Sequence, residues 1–168
     1  MSGLRFERCD PDQSPASALL TEMRDELNAL YANPARLDVP SVSADDLRGP
    51  TGVYLVGYDG ADAVAGGGLR HLDDEVAEIK RMYVRPAARS RGIAAQLLAS
   101  LETEASVLGY RAVRLDTGPK QVHAIRLYQG AGFIEIEDYN DNPFACYWAE
   151  KDVTRSAPPA ARHQVQGP

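Results

Sequence analysis

The chain has 168 residues and a formal net charge of -6, with 44% hydrophobic and 25% charged residues. This length and composition are typical of one globular domain that buries its own core. A sequence pI near 5.0 argues against a nucleic-acid-binding protein, which needs a basic face over much of its surface. The N-terminus lacks the apolar segment of a signal peptide and no run could span a membrane, so we expect a cytoplasmic protein.

The two cysteines, Cys9 and Cys146, are far apart in the chain and have no metal-ligand spacing. They are most simply free thiols in a reducing compartment. We therefore expect neither a disulfide nor a metal site.

Hydrophobic periodicity predicts seven strands and three helices. The predicted strands are 4–9, 53–58, 63–72, 79–84, 112–116, 133–136 and 145–150. The predicted helices are 15–31, 92–108 and 121–130, with a short helical turn from residue 43. Asp12 or Ser14 is the expected cap of the first helix. Three glycines, 66–68, interrupt the third strand and indicate a bulge or a place where another backbone or a ligand comes close.

The connections between these elements predict the fold class. Three consecutive strands joined by tight turns, 53–84, must be antiparallel. The long helix before 112–116 makes a right-handed crossover, so the fourth and fifth strands run parallel. This is an α/β domain with a mixed sheet, expected over residues 1–153. The tail 154–168 lacks apolar periodicity and is expected to be disordered.

The segment Glu78–Ala94 is the predicted ligand site, because it lies at the C-terminal end of the parallel pair. It reads E-I-K-R-M-Y-V-R-P-A-A-R-S-R-G-I-A and carries five basic residues against one acid. The strand ends before Pro86, and a helix starts again at Gly92 with Ser90 as its expected cap. A helix N-terminus with free N–H groups and small side chains predicts binding of an anion.

Two motifs, one in this segment and one downstream of it, resemble the signatures of one family. Arg89-x-x-Gly92-x-Ala94, after a strand ending in Tyr83-Val84, resembles motif A of the GNAT superfamily, the acyl-CoA-dependent N-acyltransferases. The stretch Ala124-Ile125-x-Leu127-Tyr128-x-x-x-Gly132-Phe133 looks like the second signature of that family. The resemblance covers about Thr51 to Glu150. It implies a single GNAT-like domain: a mostly antiparallel sheet of about seven strands, with strands 4 and 5 splayed apart and helices on both faces.

The resemblance implies acetyl-CoA as the co-substrate. The backbone N–H groups from Arg89 to Ala94 would hold the coenzyme A pyrophosphate, and Met82 and Val84 would pair with the pantetheine amides. Gln121 stands where many relatives have asparagine. The complete set implied to bind the cofactor is Met82, Tyr83, Val84, Arg89, Ser90, Arg91, Gly92, Ile93, Ala94, Gln121 and Tyr128.

The implied reaction is direct attack of a primary amine on the thioester. A primary amine has a pKa of ~10.4, so forming the neutral amine at pH 7 costs about 4–5 kcal/mol. A general base that takes up the proton is therefore useful. Glu78 is the candidate base; the alternative is a surface glutamate that pairs with Lys80 or Arg70. Tyr128 matches the family's proton donor to the thiolate; the alternative is a core tyrosine.

The acceptor pocket is implied to involve the first helix with the segment after it, Leu27–Val39, and the loop Asp138–Phe144. Their polar candidates, together with Glu78, are Tyr31, Tyr139, Asn140 and Asp141, with Glu26 nearby. Aromatic and acidic residues suit a cationic amine. We expect a small-molecule amine or a peptide N-terminus as partner, and a monomer or homodimer. The competing hypothesis is a non-catalytic acyl-CoA sensor or scaffold, which would be expected to lose the Arg89 loop motif or Tyr128.

Overall fold

The structure is a computed structural model that describes residues 3–32 and 42–154. Seven strands form one sheet in the order β1-β2-β3-β4-β5-β7-β6. The strands are β1 (Leu4–Arg8), β2 (Val53–Asp59), β3 (Asp62–His71), β4 (Val76–Val84), β5 (Ala112–Thr117), β6 (Ile134–Glu135) and β7 (Tyr147–Asp152). The helices are α1 (Ala16–Tyr31), α2 (Ile93–Val107) and α3 (Val122–Gly130). The predicted order of elements and the mixed sheet are confirmed.

Helices cover both faces of this sheet. Along β2, Val53 and Leu55 belong to the core beneath α2, whereas Tyr54 and Val56 belong to the core beneath α1. Burial on both faces explains why β2 is a continuous apolar run, since an alternating strand would leave one face in water. No helix in the described ranges is long and apolar enough to cross a membrane.

The sheet opens between β4 and β5. The two strands are parallel and pair at only three positions, from Val76 with Ala112 to Glu78 with Arg114. Beyond Glu78, β4 continues to Val84 with no strand partner on that side among the described residues, while β5 pairs with β7 along its other edge. The predicted splayed pair is therefore confirmed. Because unpaired backbone groups require another partner, the open edge of β4 is a place for a ligand.

A β-bulge in β4 adjoins this opening. Gly66 of β3 pairs with Tyr83 and Gly68 pairs with Lys80, so Arg81 and Met82 together face one residue. Arg81 has a φ of +63°, a conformation that few residues other than glycine adopt. The extra residue re-aims the side chains of the second half of β4.

The glycine run 66–68 does not interrupt β3, which continues through it. The expected bulge lies on the partner strand, and the atoms nearest to the glycines belong to side chains, not to the backbone or ligand that was expected. A Cβ added to Gly66 would lie 2.3 Å from Tyr54 Oη, and one added to Gly68 would lie 2.6 Å from Leu47 Cδ2. The glycines make room for the large residues beneath α1.

Gly66→Ala should therefore lower the free energy of unfolding by about 1–3 kcal/mol, the usual cost of overpacking. Tyr54 is 1% exposed and cannot swing away into solvent. Gly130→Ala in α3 is the matched control, since no heavy atom lies within 4 Å of its added Cβ. Urea unfolding of both variants measures the difference. Equal stabilities would contradict the packing argument.

Both predicted helix caps are wrong. The N-cap of α1 is Pro15 and that of α2 is Gly92, and neither helix has a side-chain cap. Ser90 lies two residues before the α2 cap with a φ of +61°, whereas a capping serine adopts an extended backbone. The first turn of α2 therefore keeps its N–H groups without a side-chain cap.

Other boundaries shift by one to three residues. The strand predicted at 133–136 is reduced to β6, with Phe133 buried in the core. The last strand starts at Tyr147 instead of residue 145. Of the predicted disordered tail, residues 155–168 lie outside the described residues.

Candidate functional site

A cavity of about 1050 Å³ lies where β4 and β5 diverge. Its walls come from α1, the second half of β4, the turn between β5 and α3, and residues 140–144. The predicted site residues that line it are Met82, Tyr83, Val84, Arg89, Gln121, Tyr128 and Asn140. The predicted residues outside its wall are Tyr31, Glu78, Ser90, Arg91, Gly92, Ile93, Ala94 and Tyr139.

Tyr128 presents its hydroxyl to this cavity from α3. Its side chain is 7% exposed, and its ring lies 5.9 Å from that of Phe133. The hydroxyl makes no hydrogen bond within the described part of the chain. Burial, and then the negative charge of Asp116, raise the pKa of Tyr128 to about 12. The group is therefore a phenol at neutral pH and can donate a proton.

The predicted anion site is the N-terminus of α2. Gly92 has a φ of +73°, and an added Cβ would meet no atom within 4 Å. Backbone conformation therefore requires glycine here, and the space beside it is open. Arg89 pairs with both oxygens of Glu26 at 2.7 Å, and Arg91 pairs with Asp59 at 2.7 Å. Exposed ion pairs of this kind are weak, so an anionic ligand could displace either carboxylate.

Gln121 begins α3 at the cavity wall. Its Oε1 accepts hydrogen bonds from Thr117 Oγ1 at 3.1 Å and from Gly118 N at 3.2 Å. These bonds hold the turn after β5. They leave the Nε2 donors of Gln121 without a described acceptor, and Nε2 could bind a carbonyl oxygen of a ligand.

Glu78 is fully buried, at 0% exposure, at the point where β4 and β5 separate. Its Oε2 accepts a hydrogen bond from Arg70 Nε. Its Oε1 accepts hydrogen bonds from Tyr139 Oη at 2.7 Å and from Asn140 Nδ2 at 3.2 Å, and it lies 3.0 Å from Lys80 Nζ. Four donors thus satisfy this carboxylate, as burial of a charge requires. The alternative, a surface glutamate that pairs with Lys80 or Arg70, is wrong about the exposure of Glu78. The side chain nevertheless pairs with both residues. We call Arg70, Glu78, Lys80, Asp116 and Asn140 the polar network.

Asp116 is the second carboxylate of the polar network. It accepts from Lys80 Nζ at 2.7 Å, from Asn140 Nδ2 at 2.6 Å and from Asn142 Nδ2 at 3.0 Å. Burial alone would raise the pKa of Asp116, but the Lys80 charge and these three hydrogen bonds outweigh it and lower the pKa. Sequence reasoning missed Asp116. The signal was its place on β5, where Arg114 and Asp116 alternate with the buried Val113 and Leu115.

Two residues predicted to bind the acceptor lie at the polar network: Asn140 belongs to it, and Tyr139 donates to its Glu78. Burial, and then the charge of Glu78 and the hydrogen bond to it, raise the pKa of Tyr139, which stays a phenol. Trp148 Nε1 donates to Asn140 Oδ1 at 3.0 Å. Asn140 also lines the cavity, so it is the member of this pair within reach of a ligand.

The remaining predicted acceptor wall is only partly described. Tyr31 lies at the turn after β5, where Lys120 N donates to its hydroxyl at 3.3 Å. Asp141 lines the cavity, and Glu26 lines it while pairing with Arg89. Residues 33–39 of the predicted pocket segment lie outside the described residues. Across 3–32 and 42–154, no group of three or more His, Cys, Asp or Glu side chains could hold a metal ion.

The family model for the acetyltransferase (GNAT) family matches residues 20–133. An IAA acetyltransferase of Azospirillum brasilense is 32% identical over 154 residues, which cover 88% of this chain and 97% of that protein. YsnE of Bacillus subtilis, described as an uncharacterized N-acetyltransferase, is 29% identical over 67% of this chain and 78% of its own length.

Solved structures share the fold. A Klebsiella pneumoniae protein described as a candidate acyl-CoA N-acyltransferase superposes with a TM-score of 0.72 at 23% identity, covering 91% of this chain and 99% of that one. A GNAT acetyltransferase of Elizabethkingia anophelis with acetyl-CoA bound gives 0.64 at 17% identity, with coverage of 90% and 99%. Since the family model spans more than half of the sequence, the chain belongs to the acetyltransferase (GNAT) family.

Proposed function

We propose that the protein transfers an acetyl group from acetyl-CoA to a primary amine of a small molecule or a peptide N-terminus. The observation that carries the proposal is the Tyr128 hydroxyl, which has no described hydrogen-bond partner and opens onto the cavity between the diverging strands. A proton donor at such a gap suits a reaction that releases a thiolate. The Elizabethkingia relative, which binds acetyl-CoA, supports the choice of co-substrate.

The cofactor would lie along the open edge of β4. Pairing with β5 ends at Glu78, so the backbone groups of Met82 and Val84 can pair with the pantetheine amides. Gln121 Nε2 would donate one further hydrogen bond to the pantetheine.

The phosphates would bind at the start of α2. N–H groups from Ser90 to Ala94 lie at the positive end of the helix dipole and have no side-chain cap there. Arg89 and Arg91 would exchange their carboxylate partners for phosphate oxygens.

The reaction is an aminolysis of the thioester. The neutral amine nitrogen attacks the carbonyl carbon, the C–N bond forms and the C–S bond breaks. Tyr128 donates its proton to the departing thiolate and recovers one from solvent. The attacking nitrogen loses one proton as the amide forms. Before the attack, reaching the neutral amine at pH 7 costs about 4–5 kcal/mol for an amine pKa of ~10.4.

Glu78 remains the proposed acceptor of the amine proton, directly or through water. Because its oxygens already accept from four donors, one donor must move away before it can take a proton. Arg70, Lys80 and Asn140 line the cavity, and Asn140 is the uncharged donor among them, so a bound amine could displace it.

Thiol release from acetyl-CoA with a panel of amines tests the proposal. IAA is tried as well, because one relative is named an IAA acetyltransferase. Turnover with an amine, and an N-acetylated product by mass spectrometry, is the expected result. Tight acetyl-CoA binding without turnover for any compound would favour the sensor or scaffold. The predicted cytoplasmic compartment agrees with the free thiols of Cys9 and Cys146, and the monomer or homodimer remains a prediction.

A further inference from the structure

Arg81 occupies the bulge of β4 and lines the cavity. Its charge interacts with Tyr54 and is repelled by Arg24 and Arg70, so the guanidinium lies on the α1 side of the sheet. Burial, and then this repulsion by the two arginines, lower the pKa of Arg81, although an arginine remains charged at any physiological pH. The residue is therefore a half-buried cation among like charges.

Arg81 makes neither a hydrogen bond nor an ion pair with any described residue. The other lysine and arginine side chains of the cavity wall do have partners. Lys80 binds Glu78 and Asp116, Arg89 binds Glu26, and Lys120 Nζ donates to Leu30 O at 3.0 Å. A buried cation without a counter-charge is costly unless a ligand supplies one.

The neighbours of Arg81 add further unused donors. Arg70 binds Glu78 through Nε, which leaves its two terminal nitrogens without a described acceptor. Within the described ranges the partner of Arg24 is the adjacent Asp25, at 3.4 Å, in a pair that is mostly exposed. Among the described residues, the cavity wall carries six basic side chains (Arg24, Arg70, Lys80, Arg81, Arg89, Lys120) against three acidic ones (Glu26, Asp116, Asp141). This charge favours a ligand with an anionic group, whereas the aromatic and acidic loop residues suggested only a cationic amine.

Cofactor phosphates do not account for Arg81. It precedes the end of β4 at Val84 by three residues, which is about 10 Å of strand. The phosphate site at α2 lies beyond that end, whereas Arg81 lies toward Glu78, where the strands part. An anion at Arg81 would therefore belong to the second substrate.

We propose that the acceptor is an amine that also carries an anionic group, a carboxylate or a phosphate, which Arg81 binds with help from Arg70 and Arg24. The inference rests on the proposed acetyl transfer and names the class of its acceptor. The anionic group anchors the molecule on the α1 side of β4. Its amine then extends toward the gap between β4 and β5.

Matched pairs of amines test the inference in the thiol-release assay. β-Alanine is compared with β-alaninamide, glutamate with glutamine, and phosphoethanolamine with ethanolamine. The acidic member should have a kcat/KM about 10- to 100-fold higher, as expected for charge-assisted hydrogen bonds. Comparison of the two carboxylate pairs with the phosphate pair identifies which anion the site prefers. Equal or better turnover of the neutral members would overturn the inference and leave acetyl transfer standing.

Arg81→Gln should raise the KM for the acidic amine about 10- to 100-fold, with little change in kcat and no change for its neutral partner. Arg126→Gln is the matched control, because Arg126 is an exposed arginine of α3 outside the cavity wall. An equal KM in wild type and Arg81→Gln would overturn the assignment.

A binding measurement separates failure of the inference from failure of the proposed function. Calorimetric titration of the acidic and neutral amines uses wild-type protein with coenzyme A present. It therefore does not depend on turnover or on the folding of a variant. Preferential binding of the acidic member without acetylation would support the anion site and overturn the acetyl transfer. Absence of any such preference would overturn the anion site.

Discussion

Tyr128→Phe should lower kcat by about 100- to 10,000-fold, the contribution typical of a positioned general acid, while acetyl-CoA affinity stays nearly unchanged. The phenyl ring keeps the packing against Phe133 and removes only the hydroxyl that opens onto the cavity. Steady-state thiol release gives kcat, and calorimetric titration gives the affinity. Unchanged turnover would remove Tyr128 as the acid.

Tyr147→Phe is the matched control for this substitution. Tyr147 is a second buried tyrosine of the same core, and its hydroxyl has no hydrogen-bond partner among the described residues. Removing a buried hydroxyl that makes no bond should leave both activity and stability intact or slightly improved. An equal loss of turnover in both variants would mean that ring repacking, and not the Tyr128 proton, matters.

The pH profile gives an independent check on Tyr128. Burial raises its pKa from the ordinary value of 10.0 to about 12, and the protonated form is the active one. Activity lost by ionisation of this acid would therefore appear only as the pH approaches 12. We expect kcat not to fall between about pH 8 and 10, where an unperturbed tyrosine would begin to ionise. A decline over that range, with the protein still folded, would contradict the assignment.

Glu78→Gln should lower the free energy of unfolding by about 3–5 kcal/mol, as does removal of one partner from a buried ion pair. The carboxylate is fully buried and neutralises Arg70 and Lys80, so the amide leaves these cations with less negative charge. Urea unfolding measures the loss.

Glu150→Gln is the matched control for Glu78→Gln. Glu150 accepts from Arg114 Nε at 2.6 Å, the same type of pair as Glu78 with Arg70, but its side chain is 35% exposed. The expected loss is at most about 1 kcal/mol, because solvent screens such a pair. Similar losses in the two variants would show that burial does not set the importance of Glu78.

The same variant tests the catalytic role of Glu78 when activity is measured under conditions that keep it folded. A general base predicts a fall in kcat of about 100- to 10,000-fold and loss of the acidic limb of the pH profile. A positioning role, in which Glu78 holds Lys80, Tyr139 and Asn140 in place, predicts a smaller fall with the limb retained. The two outcomes assign the residue to one role.

Local signals in the sequence determined the arrangement of the elements. Apolar spacings of three and four residues predicted the helices, and tight turns together with the crossover predicted the mixed sheet. The splaying of strands 4 and 5 was implied by the family resemblance. The Arg89-x-x-Gly92-x-Ala94 motif and Tyr128 lie within single short segments, so their types and spacing were readable without the fold. These features depend on neighbours a few residues apart.

The environment of each candidate group was decided only by tertiary structure. Glu78 is buried because Arg70, Tyr139 and Asn140 converge on it from β3 and from a loop 61 residues further along the chain. Arg81 lines the cavity because a one-residue bulge against β3 turns the strand. No periodicity in the sequence predicted this shift in register. Hydrogen-bond partners and register arise between segments distant in sequence, where the linear pattern carries no signal. The sequence by itself thus determined the elements, their order and the two motifs, while folding decided which charged groups are satisfied and which remain free for a ligand.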